Sequence, residues 1–146
     1  MNITGAGLLL FTNIENKLHV ILYKNKYKQT YEDLGGTFDK NDKNIYKTAS
    51  REAYEESATY VDIKDYELQK SKKVFLNTYV CFLKKVKNFN VLKAKELLFK
   101  FKNKEYYNEM DDVIIVPVND LLEGKIRTSN RLTSIINKIN NNNYKK

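Results

Sequence analysis

Three glutamates crowd one short segment, Arg51-Glu52-Ala53-Tyr54-Glu55-Glu56, fifteen residues after Gly35-Gly36. Helical residues three and four apart are surface neighbours, so Glu52, Glu55 and Glu56 share one face of the helix this segment predicts. Three adjacent carboxylates repel one another unless a cation lies among them. An all-oxygen donor set suits a hard ion, Mg²⁺ or Mn²⁺, which is usually held by few carboxylates plus water and substrate phosphates. An isolated helix of this composition is most often a solvated charged face. Here it is not isolated: Tyr31-Glu32-Asp33-Leu34 leads into the glycines as a short strand would, and Ala6-Gly7-Leu8-Leu9-Leu10-Phe11 opens the chain as a strand-like run.

Periodicity organises the rest. Residues 6–12 read as a buried strand, 13–16 as a hairpin turn, and 17–23 as a half-buried strand through Leu18, Val20 and Leu22. A polar connection covers 24–30, a short strand 31–34, and a polar loop 37–45. The glutamate helix spans 46–58, with Ala49, Ala53 and Tyr60 toward the core. Residues 66–73 and 74–84 read as two strands, 91–102 as a helix through Ala94, Leu97, Leu98 and Phe101, 112–118 as a late strand, and 129–139 as a last amphipathic helix. Strands interspersed with helices predict an α+β helix–sheet–helix sandwich on a mixed sheet. One domain, 1–139, is expected, with the Asn- and Lys-rich stretch 140–146 as a disordered tail.

Length and charge narrow the function classes. At 146 residues the chain buries a proper core. It has no apolar run that would span a bilayer and no basic leader before Leu8-Leu9-Leu10, so no membrane partner and a cytoplasmic location are expected. A single cysteine, Cys81, excludes a disulfide framework, and its apolar surroundings favour a buried thiol over a nucleophile. The net charge of +8 suits polyanions such as nucleotides, inositol phosphates or RNA. Only Arg51, Arg127 and Arg131 supply the guanidinium fork that grips phosphate bidentately, so the lysine excess is weaker support for specific RNA reading.

From Gly36 to Thr59 the chain resembles the signature box of Nudix hydrolases: Gly, five residues, Glu, seven residues, then Arg-Glu-apolar-x-Glu-Glu-x-Gly-apolar. Gly36 and Arg51-Glu52-Ala53-x-Glu55-Glu56 fit. Asp42 stands where the first Glu belongs, one extra residue separates it from Arg51, and Ala58-Thr59 replaces the final Gly-apolar pair. Asp112-Val113-Ile114-Ile115-Val116-Pro117-Val118, followed by Asn119-Asp120-Leu121-Leu122, is similar to the family's late segment.

The resemblance implies Mg²⁺- or Mn²⁺-dependent hydrolysis of a phosphoanhydride in a nucleoside diphosphate linked to another group. Glu52, Glu55, Glu56 and the Gly36 carbonyl would hold metal, and the Gly35-Gly36 backbone would approach phosphate. Arg51 would orient the glutamates with Asp42 as its partner. Glu109 leads the candidates for general base, ahead of Asp111, Asp112 and Glu96. Removal of an RNA cap or cleavage of diphosphoinositol phosphates by the same site is one alternative, supported by the lysines of 84–104. A non-catalytic ligand-binding module is another, supported by the altered loop. His19 and the tyrosines at 23, 27, 79, 106 and 107 fit packing better than chemistry. A homodimer is common for soluble proteins, though nothing in the chain specifies one.

Overall fold

A computed structural model describes residues 2–141. The layering follows from β1 (Gly5–Ile14). Ala6, Leu8 and Leu10 enter one core while Leu9 and Phe11 enter a second. Strand side chains alternate between faces, so consecutive apolar positions demand cover on both sides. α1 (Ile45–Glu56), α2 (Asp65–Gln69) and α3 (Val91–Lys100) cover one face, through Ala49, Ala53, Leu68, Ala94 and Leu98. α4 (Val118–Leu122) and α5 (Asn130–Asn141) cover the other, through Val118, Leu121, Leu132, Ile135, Ile136 and Ile139. The expected sandwich on a mixed sheet is what forms.

The strand registers build a fork. One edge of β1 is occupied by β6 (Tyr79–Lys85), which runs parallel to it and carries β5 (Lys72–Leu76) on its far side. The opposite edge of β1 is divided: Gly5 to Leu8 pair with β4 (Leu34–Thr37), and Leu10 to Ile14 pair with β2 (Lys17–Asn25). β2 is divided in the same way. β7 (Met110–Pro117) lines one edge, leaving the other to β1 and then to β3 (Tyr31–Glu32). β1 and β2 therefore part company midway. β4 continues one arm, β3 continues the other, and Asp33 joins them.

Local chemistry sets the element boundaries. Glu15 (φ 52°) and Asn16 (φ 65°) form the two-residue turn between β1 and β2, where a tight hairpin needs positive φ at both positions. Asn44 caps α1 by accepting from Lys47 N at 2.9 Å. Its C-terminus closes with Ala58 N donating to Glu55 O (3.2 Å) and Thr59 N to Tyr54 O (2.8 Å), the paired bonds of a Schellman turn. Helix α1 thus stops at Glu56, two residues before the expected end, because Ala58 (φ 52°) and Thr59 (φ 76°) are left-handed.

Three other expectations need correction. Residues 66–73 are not one strand: α2 occupies 65–69, since Glu67 turns back to accept from Lys64 N at 2.9 Å and Leu68 is buried, and only Lys72 and Lys73 belong to a strand, β5. Residues 74–84 are not one strand but parts of two, β5 and β6, folded at Asn77 (φ 45°). The late strand, expected at 112–118, ends one residue sooner, because Val118 begins α4. The expected tail begins inside α5, which includes Asn140 and Asn141, and its remainder, 142–146, lies outside the described residues. Tyr60 is only partly buried: it follows α1, packs edge-on to Phe89 and accepts from Asn90 N at 2.8 Å.

A β-branched residue at positive φ is strained. Thr59→Gly is expected to stabilise the fold by about 1 kcal/mol, while Ala58→Gly should be near neutral, because the buried Ala58 methyl contributes about 0.8 kcal/mol that offsets the relief. Chemical denaturation of both variants checks this, and a destabilised Thr59→Gly would show that the threonine is not strained.

Candidate active site

The glutamates of α1 meet the first arm of the fork. Gly35 N donates to Glu56 Oε1 at 2.8 Å, and a Cβ on Gly36 would collide with the Glu52 carboxylate. These contacts exist because β4 presents bare backbone to the helix, and because Ala49 and Ala53 let α1 lie close to the sheet. Glu56 is buried and Glu52 and Glu55 are partly exposed.

Arg51 ties the cluster to the preceding loop. Its Nε and Nη2 donate to the two oxygens of Asp42 at 2.9 and 3.0 Å, a bidentate fork. Nη1 donates to Glu55 at 3.2 Å and lies 3.6 Å from Glu52, and Nη2 also reaches Thr37 O at 3.2 Å. Asp42 is itself buried and accepts from Thr48 Oγ1 (2.9 Å) and Asp39 N (3.0 Å). The shorter acid at 42 therefore reaches Arg51 fully. Burial pushes the Asp42 carboxyl up, but the Arg51, Asp39 and Thr48 bonds outweigh it and leave it below its ordinary value.

The glutamates shift the other way. Burial, reinforced by Glu55 and Glu109 against the opposing pull of Arg51, raises Glu52 from 4.5 to about 7. Burial also raises Glu55. Glu56 is pushed well up, by burial first and then by the charges of Glu109 and Glu52 and a hydrogen bond with the Glu109 carboxyl, which the Gly35 amide only partly offsets. Glu109 thus joins the cluster across the fork, from the chain just before β7, where its carbonyl accepts from Lys26 N at 3.0 Å.

The other base candidates lie elsewhere. Asp111 pairs with Lys24 at 3.9 Å, Asp112 with Tyr31 Oη (3.2 Å) and Lys95 (3.5 Å), and Glu96 with Lys93 at 3.8 Å. His19 bonds Lys17 O at 2.9 Å on β2. Among the described residues no group of three Asp, Glu, His or Cys side chains is arranged to hold a metal ion as it stands. The donor chemistry nonetheless fits a hard divalent cation. The cluster is all oxygen, and its carboxyls are raised by burial first and then by one another's negative charge, both of which a bound cation would relieve.

A second ion pair, absent from the sequence reading, backs this site. Asp33, whose side chain is 0% exposed, accepts from Arg131 Nε at 3.0 Å and from Tyr79 Oη at 2.6 Å. The Arg131 guanidinium lies 4.5 Å from the Tyr79 ring centroid, and its Nη2 stands 3.5 Å from Gly35 O. A Cβ on Gly7 or Gly35 would collide with the Tyr79 hydroxyl. Cys81 is buried 4.0 Å from Asp33, and burial and that carboxylate push its thiol well up, against any nucleophilic use. The available signal for Arg131 was its rarity, since it is one of three arginines among 26 basic residues.

The architecture matches solved structures over nearly its whole length. An Ap4A hydrolase of C. elegans, solved as a binary complex, superposes with a TM-score of 0.60 at 14% identity, over 99% of each chain. The Nudix domain of Shewanella oneidensis NrtR, solved with ADP-ribose, gives 0.65 at 16% identity, over 97% of this chain and 88% of that one. This chain has the Nudix fold. A Listeria monocytogenes protein assigned as a Nudix hydrolase gives 0.57 at 11% identity, over 96% and 95% of the two chains. Neither a protein-family model nor a curated protein matches the sequence. Within this Nudix fold no described helix is long and apolar enough to cross a membrane.

Two outcomes are expected. Asp42→Ala leaves Arg51 with its weaker partners and should cost about 2 kcal/mol, below the full penalty for breaking a buried pair because Arg51 is partly exposed; denaturant titration checks it. The raised glutamates bind protons more tightly folded than unfolded. In metal-free buffer, stability should therefore fall as pH rises through the window from 4.5 to about 7. Glu56→Gln keeps an oxygen for the Gly35 amide and removes the charge, so it should flatten that fall and raise Tm at about pH 8 by roughly 3 °C. An unchanged melting profile would mean that Glu56 is not a repelled charge.

Proposed function

We propose that the chain is a Mg²⁺- or Mn²⁺-dependent hydrolase of phosphoanhydride bonds in nucleoside diphosphate-linked substrates. The observation that carries this reading is the buried Glu56, seated on the Gly35 amide on the helix face that it shares with Glu52 and Glu55. Burying one acid and crowding two more beside a strand of bare backbone is costly for stability alone, and that negative charge would hold the cation which anhydride hydrolysis needs.

In this reading Glu52, Glu55, Glu56 and the Gly36 carbonyl would hold the ion. When bound it neutralises phosphate oxygens and makes water a better nucleophile. The side-chain positions of Gly35 and Gly36 are filled by the Tyr79 hydroxyl and the Glu52 carboxylate, so substrate phosphates would meet the ion those carboxylates hold and not bare glycine backbone. Glu109 takes the proton as the water oxygen bonds to phosphorus and the bridging P–O bond breaks, the electron pair leaving with the departing phosphate. Arg51, anchored by Asp42, keeps the glutamates in register and does not itself touch the reacting atoms. The Ap4A and ADP-ribose named for structural neighbours support a nucleotide anhydride as substrate.

A second reading is a ligand-binding Nudix module without turnover. It is favoured by the lack of a ready three-ligand arrangement among the described residues. Phosphate release with Mg²⁺ from dinucleoside polyphosphates, ADP-ribose, nucleoside triphosphates, diphosphoinositol phosphates and capped RNA separates the two. Turnover of at least one substrate is expected, falling by about 10³-fold or more in Glu56→Gln and about 10²-fold in Glu109→Gln. Arg51→Ala should lower kcat more than it raises KM. Binding without turnover across the panel would favour the module.

A further inference from the structure

A cavity unlike the carboxylate cluster in charge opens beside Arg131, the residue that stands behind Gly35. It encloses about 490 Å³ between the β2–β3 connection and the start of α5. Lys28, Thr30, Glu32, Arg127, Ser129 and Arg131 line it, and the two remaining lining residues are also polar. Three cations thus face one carboxylate. Glu32 is buried and accepts from Thr30 Oγ1 at 3.1 Å. Arg131 is committed to Asp33, whereas Lys28 and Arg127 are exposed and in no ion pair among the described residues.

The lining decides the ligand class. No aromatic or aliphatic side chain offers a face for a nucleobase, which stacking would require. One carboxylate among three cations excludes a metal ion. A guanidinium fork, an ammonium and hydroxyl donors match phosphate oxygens. A single strand residue stands between Arg131 of the cavity lining and the cluster: Gly35 N holds Glu56, while Gly35 O faces Arg131.

We propose that this cavity is an anion subsite that takes a further phosphate of the substrate, carried beyond the anhydride that is cut. The inference rests on the proposed hydrolase reading for the word substrate, but phosphate binding by the cavity does not depend on it. The substrate class is an anhydride in which at least one half carries phosphate beyond the two joined by the bond that is cut, either a dinucleoside polyphosphate or a polyphosphorylated polyol. An anhydride ending in a neutral sugar leaves the subsite empty.

The test begins with inorganic tripolyphosphate titrated calorimetrically into the full chain without divalent cations. Saturable binding is expected, weakened at least about tenfold in Lys28→Gln/Arg127→Gln. It should be retained in Glu52→Gln and in Lys100→Gln/Lys102→Gln, which removes the same charge from exposed α3 and its end. No saturable binding, or equal weakening by both double variants, would overturn the subsite, the latter because it reports net charge alone.

With Mg²⁺, KM for diadenosine tetraphosphate or a diphosphoinositol phosphate should rise at least about tenfold in Lys28→Gln/Arg127→Gln, well beyond the change for ADP-ribose. The substrate with the larger rise identifies which half-molecule the cavity takes, and equal rises for all three overturn the assignment to substrate. If no compound is turned over, the hydrolase reading fails and the calorimetry still decides the subsite.

Discussion

The site depends on placing the Glu56 carboxylate out of water against the Gly35 amide. A buried carboxylate is tolerated only with hydrogen bonds and nearby positive charge, and the hydrogen bond here comes from the Gly35 amide. Successive strand residues point to opposite faces, and the two glycines of β4 use this. On one face the space beside Gly36 is filled by Glu52; on the other the space beside Gly35 is filled by the Tyr79 hydroxyl. The pair therefore lets a helix close on one side of the strand while a buried ion pair closes on the other. Any side chain at either position would displace one of them.

That arrangement separates charge across a few ångströms. Glu52, Glu55, Glu56 and Glu109 gather on the α1 side, while Arg131 stands behind Gly35 with Asp33 as its counterion. The two buried acid–arginine pairs have parallel tasks. Asp42–Arg51 holds the loop to α1, and Asp33–Arg131 holds α5 to the fork between β3 and β4. A lysine would hold neither carboxylate in a bidentate or stacked geometry, which accounts for arginine at these positions in a chain that otherwise uses lysine. The fork exists because β1 and β2 each share one edge between two partners, so the acids reach an opening in the sheet instead of its closed surface.

Much of this was legible because it is local. The i, i+3, i+4 spacing of the glutamates, the doubly apolar β1 and the amphipathic stripe of α5 each announce an element within a dozen residues. α2 was missed because Asp65 to Gln69 is too short to show a period, and its helical turn comes from one bond between Glu67 and the Lys64 amide. The division of 74–84 was missed because its turn, Asn77-Thr78, is only two residues long and carries neither Gly nor Pro. Asp33–Arg131 was invisible for another reason: its partners are 98 residues apart, and no spacing rule connects them.

The departures from the family pattern are instructive in kind. Asp42 still grips Arg51 through both oxygens, and Thr48 and the Asp39 amide fix it there, so a shorter acid in a longer loop reaches the same place. Ala58 still makes the turn that ends α1, at the cost of a left-handed backbone, and its methyl is buried in return. Both positions have a geometric duty, and geometry can be met by another residue with a compensating shift nearby. A charge duty cannot be met this way. No hydroxyl or amide would supply the anionic oxygens of Glu52, Glu55 and Glu56, and those are the positions this chain keeps. The pattern of loss and retention therefore separates the residues that shape the site from those whose charge the proposed chemistry needs.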